Sequence, residues 1–268
     1  MGPNGNGALF DSLASNEEVR NHISKTDYVQ IIGVDNVLNR VLDPVYIGFA
    51  VAKRLQAAMK SCVKRDAKEP VGVVVKRRDA ETGVAKYDIV EYSEISQFDA
   101  NAINEATGEL KFNLGNILVF ILSSQKLLEL ASNSATLNAL YHKAFKKYAF
   151  LDTTTGERVT PAAQNSYKFE LFVHNFLPFC EVGRFGVLRV AREDEFAPVK
   201  NADGVDSPAT AKALIFGQSL RWLTQAGAKI PDDVKELEVD TLLSYEGEGL
   251  EAWKDGKEVE KGHVPLTD

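Results

Sequence analysis

Apolar runs separated by turn-forming residues predict alternating strands and helices in the first part of the chain. Residues 28–34 are largely apolar and β-branched, which is typical of a strand covered on both faces. A helix is predicted to begin at Asp43, which a proline follows, and apolar residues at helical spacing extend it to about Lys60. Residues 71–75 and 86–92 are predicted to form a hairpin of two strands.

The alternation continues in the second part of the chain, with a helix beginning at residues 124–130, a strand at 186–190 and a helix at 208–226. A further helix face is predicted from four apolar residues, Phe169, Phe172, Val173 and Phe176. This order predicts an α/β fold, with a mixed central sheet flanked by helices.

Turn-forming residues concentrate just beyond Lys200, and the tail after the helix at 208–226 holds only short apolar runs. We therefore expect a boundary there, with residues 1–200 forming the main domain. Residues 201–268 are expected to form a small C-terminal α+β sub-domain.

Composition and charge exclude several classes of protein. The 268 residues are 44% hydrophobic and 26% charged, which is ordinary for a globular protein. A net charge of −7 disfavours binding of nucleic acid through a general electrostatic field. The apolar stretch at 117–122 is too short to span a membrane, and no export signal is recognised. With only two cysteines as well, we expect a cytoplasmic protein that binds neither membranes nor nucleic acid.

The chain opens on a glycine-rich loop, residues 1–7, with no strand before it. Because a strand usually delivers a loop of this kind, we expect further sequence upstream. A sheet that lacks those strands would have an unpaired edge, which favours self-association.

The motifs of several enzyme classes are absent. The sequence has no GxSxG elbow, no P-loop and no GxGxxG fingerprint. Polar residues instead follow the predicted strands, where open α/β sheets bind ligands. Asp35 is the clearest example, since such an aspartate either holds Mg²⁺ against phosphate oxygens or caps the next turn, and spacing alone favours the cap.

Seven motifs then appear in order along the chain. They are Pro3–Gly7 (PNGNG), Val34–Asn36 (VDN), Glu69–Val73 (EPVGV), Val90–Ile95 (VEYSEI), Phe112–Asn116 (FNLGN), Arg192–Asp203 (REDEFAPVKNAD) and Ser244–Glu251 (SYEGEGLE). Together they resemble the later part of the eukaryotic-type UDP-N-acetylhexosamine pyrophosphorylases. The family's earlier glycine-rich nucleotide loop has no counterpart in this sequence.

The resemblance implies a Rossmann-like nucleotide-diphospho-sugar transferase fold. It implies a uridylyltransferase that converts UTP and N-acetylglucosamine 1-phosphate to UDP-N-acetylglucosamine and pyrophosphate, with Mg²⁺ or Mn²⁺ as cofactor. The alternatives are a UDP-glucose or broad UDP-sugar pyrophosphorylase, and a catalytically incomplete fragment that binds a sugar nucleotide.

The resemblance also implies the site residues. Lys200, Lys168 and Asp35 would be catalytic, with both lysines near the phosphates and Asp35 associated with the metal. The substrate-binding residues implied are Gly5, Asn6, Asp35, Gly72, Glu91, Tyr92, Asn116, Lys168, Phe172 and Lys200. Among these, Asn6, Glu91, Tyr92 and Asn116 would meet the sugar or its nucleotide, and Phe172 would line the acetamido pocket.

Overall fold

The computed structural model describes residues 4–78, 80–133, 137, 141–260 and 262–264. Within them a six-stranded mixed sheet forms the centre, and three two-stranded sheets lie outside it. The strands are β1 Tyr28–Ile32, β2 Ala57–Val63, β3 Val73–Arg78, β4 Ala85–Val90, β5 Leu114–Ser123, β6 His142–Lys146, β7 Phe150–Leu151, β8 Arg158–Val159, β9 Ser166–Glu170, β10 Phe185–Arg189, β11 Leu237–Val239 and β12 Gly262–Val264. The α/β fold with a mixed central sheet is therefore confirmed.

The helices begin where the sequence supplies capping residues. Asp43 accepts hydrogen bonds from the backbone N–H of Val45 and Tyr46, and Ser207 forms a capping box with Thr210. The α-helices are α1 Leu9–Ser15, α2 Glu17–Ile23, α3 Pro44–Ala52, α4 Gln97–Ala100, α5 Ser124–Ser132, α6 Arg192–Glu195 and α7 Pro208–Ala226. Helix α7 has the predicted bounds.

The central sheet has the order β10-β2-β5-β3-β4, and β1 also pairs with β5. Both β1 and β3 lie on the edge of β5 opposite β2, one after the other along its length. Strand β1 pairs with residues 119–123 of β5, whereas β3 meets β5 at Gly115. A gap therefore opens between the end of β1 and the start of β3, beside residues 116–118.

Two hydrophobic clusters cover the faces of this sheet, because successive side chains of a strand point to opposite faces. On β2, Ala57 and Met59 join the cluster that contains Phe120 and Phe176. Ala58 and Cys62 join the cluster on the other face, which packs against α3.

The predicted extension of the α3 helix to Lys60 is wrong. The helix ends at Ala52, and Arg54 has a φ of +51°, a left-handed conformation that turns the chain into β2. Strand β2 lies between β5 and β10, so its residues are buried on both faces and show no alternation of buried and exposed positions. Such a run is indistinguishable from a buried helix by periodicity alone.

The helix face predicted from the phenylalanines near residue 170 is also wrong in part. Phe169 lies on β9, and Phe172 lies in the extended link that follows. Residues Val173–Phe179 form a 3₁₀ helix that includes Pro178. Helical spacing therefore linked side chains that belong to two different elements.

Beyond residue 200, a third cluster forms around the C-terminal half of α7. It contains Leu223, Val234, Leu237, Val239, Leu250, Trp253, Val259 and Val264. The parallel pair β11–β12 packs within this cluster. No helix among the described residues has the length and apolar character needed to cross a membrane.

Candidate functional site

The gap between β1 and β3 is lined by backbone that two hydrogen bonds hold in place. Gly33 N–H donates to the Leu118 carbonyl at 2.9 Å, and Asn116 N–H donates to the Gly72 carbonyl at 2.8 Å. Between these points Leu118 has a φ of +57°, and its N–H donates to Asn116 Oδ1 at 2.9 Å. The acceptor of the half-buried Asn116 amide is therefore engaged, whereas its nitrogen donates to none of the described residues.

Asp35 stands where the chain leaves β1. A Cβ on Gly33 would lie 2.8 Å from Asp35 Oδ1 and 2.9 Å from Leu118 Cδ2, so the Asp35 carboxylate lies directly against the Gly33 backbone. The Asp35 carboxylate is half-buried, and none of the described residues donates a hydrogen bond to it. It is therefore available to a ligand or a cation.

Lys200 reaches the same region on the segment that follows α6. Val199 N–H donates to the Asp35 carbonyl at 2.9 Å, which places the residue before Lys200 against Asp35. The exposed Lys200 ammonium lies 6.0 Å from the centroid of the Phe196 ring. Among the described residues, no carboxylate pairs with it.

Glu91 lies on the β3 side of the gap, directly after β4. A Cβ on Gly72 would lie 3.0 Å from Glu91 Oε1, so the absence of a side chain at Gly72 lets the carboxylate lie against the backbone. Burial is the main cause that raises the pKa of Glu91, and the negative charge of Glu94 raises it further. The charges of His142 and of Lys200 partly offset this increase.

Three aromatic rings form a wall beside Glu91. The Phe172 ring stacks on His174 with a centroid distance of 5.0 Å, and His142 lies tilted against Phe172 at 5.2 Å. Burial lowers the pKa of His174 to about 4, so this imidazole is neutral at pH 7. Its Nε2 lies 3.8 Å from Glu91 Oε1, which is too long for a hydrogen bond, and a neutral ring makes no ion pair.

The hairpin of β6 and β9 borders this wall. His142 lies directly opposite Glu170, and Ala144 opposite Lys168, so all four side chains share one face. His142 Nδ1 lies 2.9 Å from Glu94 Oε1, which joins that face to the Glu91 region.

Lys168 thus lies on the face of the hairpin that is directed toward the site. Its Nζ is 2.6 Å from Glu170 Oε1, and this hydrogen bond raises the pKa of Lys168. No contact within the described part of the chain joins Lys168 to Lys200 or Asp35.

The N-terminal loop packs against the start of the ring wall. Gly5 has a φ of +87°, and a Cβ there would lie 2.3 Å from the Leu171 carbonyl oxygen, so this position requires glycine. Asn6 Oδ1 accepts a hydrogen bond from Val173 N–H at 2.8 Å. Gly5 and Asn6 are therefore held next to Phe172.

The structure thus gathers the predicted residues into one region, with different degrees of contact. Gly72, Glu91 and Asn116 share the gap, Asp35 and Lys200 lie across it, and the N-terminal loop adjoins Phe172. Tyr92 is 52% exposed, and its backbone N–H hydrogen-bonds the Glu91 carboxylate.

His142, Glu94 and His174 are not among the residues predicted for the site. No local signal marks His142, because its place beside Glu94 depends on how the β6–β9 hairpin folds back. Nor does one mark His174, because its ring stacks on Phe172 only where the extended link at Phe172 passes into the 3₁₀ helix that begins at Val173.

The chemistry of the site fits Mg²⁺ that arrives with a nucleotide. No cluster of three or more His, Cys, Asp or Glu side chains that could hold a metal is found in the described ranges. Mg²⁺ often takes only one or two carboxylates, with phosphate oxygens and water completing its shell. The unpaired oxygens of Asp35 would suit that arrangement.

The mixed α/β fold is that of the UDP-sugar pyrophosphorylases, which are among its neighbours in solved structures. The solved uridine diphosphate N-acetylglucosamine pyrophosphorylase of Trypanosoma brucei, in complex with an inhibitor, has this fold. Its TM-score is 0.77 with 33% identity, covering 94% of this chain and 52% of that one. Residues 1–246 match the family described as UTP–glucose-1-phosphate uridylyltransferase, and the chain belongs to that family.

Two relatives have similar sequences along nearly the whole chain. UDP-N-acetylhexosamine pyrophosphorylase-like protein 1 of Xenopus tropicalis is 36% identical, covering 97% of this chain and 52% of the relative. UDP-N-acetylglucosamine pyrophosphorylase of Saccharomyces cerevisiae is 34% identical, covering 98% of this chain and 54% of the relative. The chain therefore spans about half the length of the curated relatives that it matches.

Proposed function

We propose that this chain supplies the sugar-binding part and some phosphate-binding groups of a UDP-N-acetylglucosamine pyrophosphorylase. The observation that carries the proposal is the gap between β1 and β3. On one side a half-buried carboxylate, an amide nitrogen and a ring wall suit a sugar with an acetamido group. On the other side an unpaired carboxylate and an unpaired ammonium suit phosphates and a divalent cation.

In the proposed reaction, a phosphate oxygen of N-acetylglucosamine 1-phosphate attacks the α-phosphorus of UTP in line. The bond to the β-phosphate breaks, and pyrophosphate leaves. No covalent enzyme intermediate is required, so catalysis consists of positioning and of neutralising charge on the phosphates. Mg²⁺, held by Asp35 and by phosphate oxygens, would supply part of that neutralisation.

The residues of the chain divide this work. Lys200 neutralises phosphate charge, and Lys168 adds a second cation from the hairpin, once ligand phosphate competes with Glu170 for its ammonium. Glu91 accepts hydrogen bonds from sugar hydroxyls, while Asn116 donates through its nitrogen because its oxygen already accepts from Leu118. Gly5, Asn6 and Tyr92 contribute to the nucleotide and sugar contacts, and Phe172 lines the acetamido pocket.

Three organisational predictions accompany this function. We propose that residues 1–200 form the nucleotidyltransferase part, and that residues 201–268 form a sub-domain around their own hydrophobic cluster. Self-association and a cytoplasmic location stay predictions from the sequence.

A binding experiment tests the function, using the 268-residue chain in calorimetric titrations with Mg²⁺. We expect UDP-N-acetylglucosamine to bind, and Lys200→Ala to weaken its binding about tenfold, since a charge-assisted contact to phosphate contributes about 1.5 kcal/mol or more. Lys53→Ala is a matched control, because Lys53 is also exposed and its ammonium lies 5.9 Å from the centroid of the Phe49 ring. Equal affinity of the wild-type chain and the Lys200→Ala variant would contradict the role of Lys200.

The family description names glucose 1-phosphate, so UDP-glucose is the second candidate ligand. The ring wall beside Glu91 favours the acetylated sugar, because an acetamido group gives an aromatic surface more apolar contact than a hydroxyl group does. Tighter binding of UDP-glucose than of UDP-N-acetylglucosamine would assign the chain to the second candidate.

A further inference from the structure

Asn36 directly follows Asp35 and is buried where this segment meets the one that carries Lys200. The side chain is 4% exposed, and both ends of its carboxamide are fully used. Its Oδ1 accepts from Ala197 N–H at 2.8 Å and from Leu38 N–H at 3.3 Å. Its Nδ2 donates to the Glu195 carbonyl at 2.8 Å and to Asn39 Oδ1 at 3.0 Å.

These bonds complete a short antiparallel bridge in which Asn36 is opposite Pro198. Two backbone bonds flank the pair, Val199 N–H to the Asp35 carbonyl at 2.9 Å and Val37 N–H to the Ala197 carbonyl at 3.3 Å. The Ala197 N–H donates to the Asn36 side chain rather than to the Val37 carbonyl, so the pairing does not continue as a regular ladder. The Asn36 side chain takes over as partner of the Ala197 N–H and the Glu195 carbonyl.

We propose that Asn36 is a positioning residue that fixes Asp35 relative to Lys200, an inference that rests on the proposed function. It touches neither substrate nor metal. Asp35 precedes Asn36, and Lys200 lies two residues after Pro198, so the bridge sets the separation between the metal-associated carboxylate and the phosphate-neutralising ammonium. A ligand that contacts both groups through one phosphate chain requires that separation to be fixed.

The test compares the affinity for UDP-N-acetylglucosamine, with Mg²⁺ present, of the 268-residue wild-type chain and its variants. We expect Asn36→Ala to weaken binding about tenfold, the usual lower effect of losing a group that orients a metal ligand. Asn36→Asp is the second variant. It keeps an oxygen acceptor for the Ala197 N–H but cannot donate to the Glu195 carbonyl, so its affinity should also fall.

Ser219→Ala is the matched control, since Ser219 is 3% exposed and accepts a hydrogen bond from Val239 N–H, within the C-terminal cluster. It should lower thermal stability and leave the affinity unchanged. A double-mutant cycle then separates positioning from general destabilisation. In a Lys200→Ala background, adding Asn36→Ala should weaken binding by less than about twofold, because the ammonium that Asn36 positions is already absent.

Two outcomes would overturn the inference alone: wild-type affinity in both Asn36 variants, or effects of Asn36→Ala and Lys200→Ala that multiply independently. Failure of the wild-type chain itself to bind UDP-N-acetylglucosamine would overturn the proposed function, and the role of Asn36 with it.

Discussion

Lys60→Met should destabilise the protein strongly, although Lys60 contacts no group assigned to a ligand. Lys60 is fully buried on β2, where its Nζ lies 2.5 Å from Asp43 Oδ2 and also donates to Glu195. Burial alone would raise the pKa of Asp43, but the hydrogen bond and charge of Lys60 outweigh it and lower that pKa. For Glu195, burial is the larger effect, and its pKa is raised.

The expected cost follows from what each carboxylate keeps after the substitution. Asp43 retains hydrogen bonds from the N–H groups of Val45 and Tyr46, and Glu195 retains Arg40, whose Nη1 lies 3.7 Å from its Oε1. Removing one partner from a buried ion pair costs about 3–5 kcal/mol. Because Asp43 keeps two hydrogen bonds and Glu195 keeps a cationic partner, we expect the free energy of unfolding to fall by about 3 kcal/mol, at the lower end of that range.

Urea denaturation at pH 7, followed by circular dichroism, measures this loss as a lower midpoint. The exposed Lys53→Met is the control and should change the unfolding free energy by less than about 0.5 kcal/mol. Adding Glu195→Gln to Lys60→Met should recover about 1 kcal/mol or more, since it removes one uncompensated buried charge. A Lys60→Met variant within about 0.5 kcal/mol of the wild type would refute the reasoning. It would mean that the ion pairs of Lys60 with Asp43 and Glu195 contribute no net stability.

Two further predictions concern the site itself. The folded-state pKa of His174 is lowered to about 4 from 6.5, so its stabilising contribution is complete above pH 6.5 and is lost as the pH falls. Denaturation of the wild type should therefore show a loss of about 3 kcal/mol near pH 4 that His174→Phe lacks, whereas substitution of the exposed His22 should leave the loss intact. Gly72→Ala should weaken binding of UDP-N-acetylglucosamine about tenfold, because the new Cβ would displace Glu91. Gly48→Ala, whose Cβ meets nothing within 4 Å, should bind as the wild type does, and equal affinities for the two variants would contradict the tight approach at Gly72.

Local signals predicted those elements whose start and end are written in nearby residues. Helix α7 begins at a serine–proline cap and ends at Gly227, which has a φ of +94°, so its bounds follow from the sequence. Strands β3 and β4 pair as the predicted hairpin. Local pattern does not predict strand β2, because its conformation is decided by the strands on both sides of it.

The residues of the candidate site also divide into those that nearby sequence marks and those that only the fold brings together. Asp35 and Glu91 follow strands, and Asn116 lies near the start of one, but spacing alone favours a cap for Asp35, and the family resemblance is what assigns the three residues to the site. The order of β1 and β3 on a single edge of β5 was not predictable from local pattern, and it is this order that opens the gap. His142 joins Glu94 only because the β6–β9 hairpin folds across the chain.

In the proposed function, the gap lets a chain with a net charge of −7 bind a polyanionic ligand, because its two sides differ in burial and in charged groups. Glu91 is half-buried and accepts hydrogen bonds through its carboxylate, and the buried His174 is neutral at pH 7, so the sugar side offers hydrogen-bonding groups rather than a cluster of cations. Lys200 is exposed and unpaired among the described residues, so its full charge is available to phosphate. Specificity for the sugar and neutralisation of the phosphates therefore depend on different residues, and substitutions on one side should leave the contribution of the other measurable.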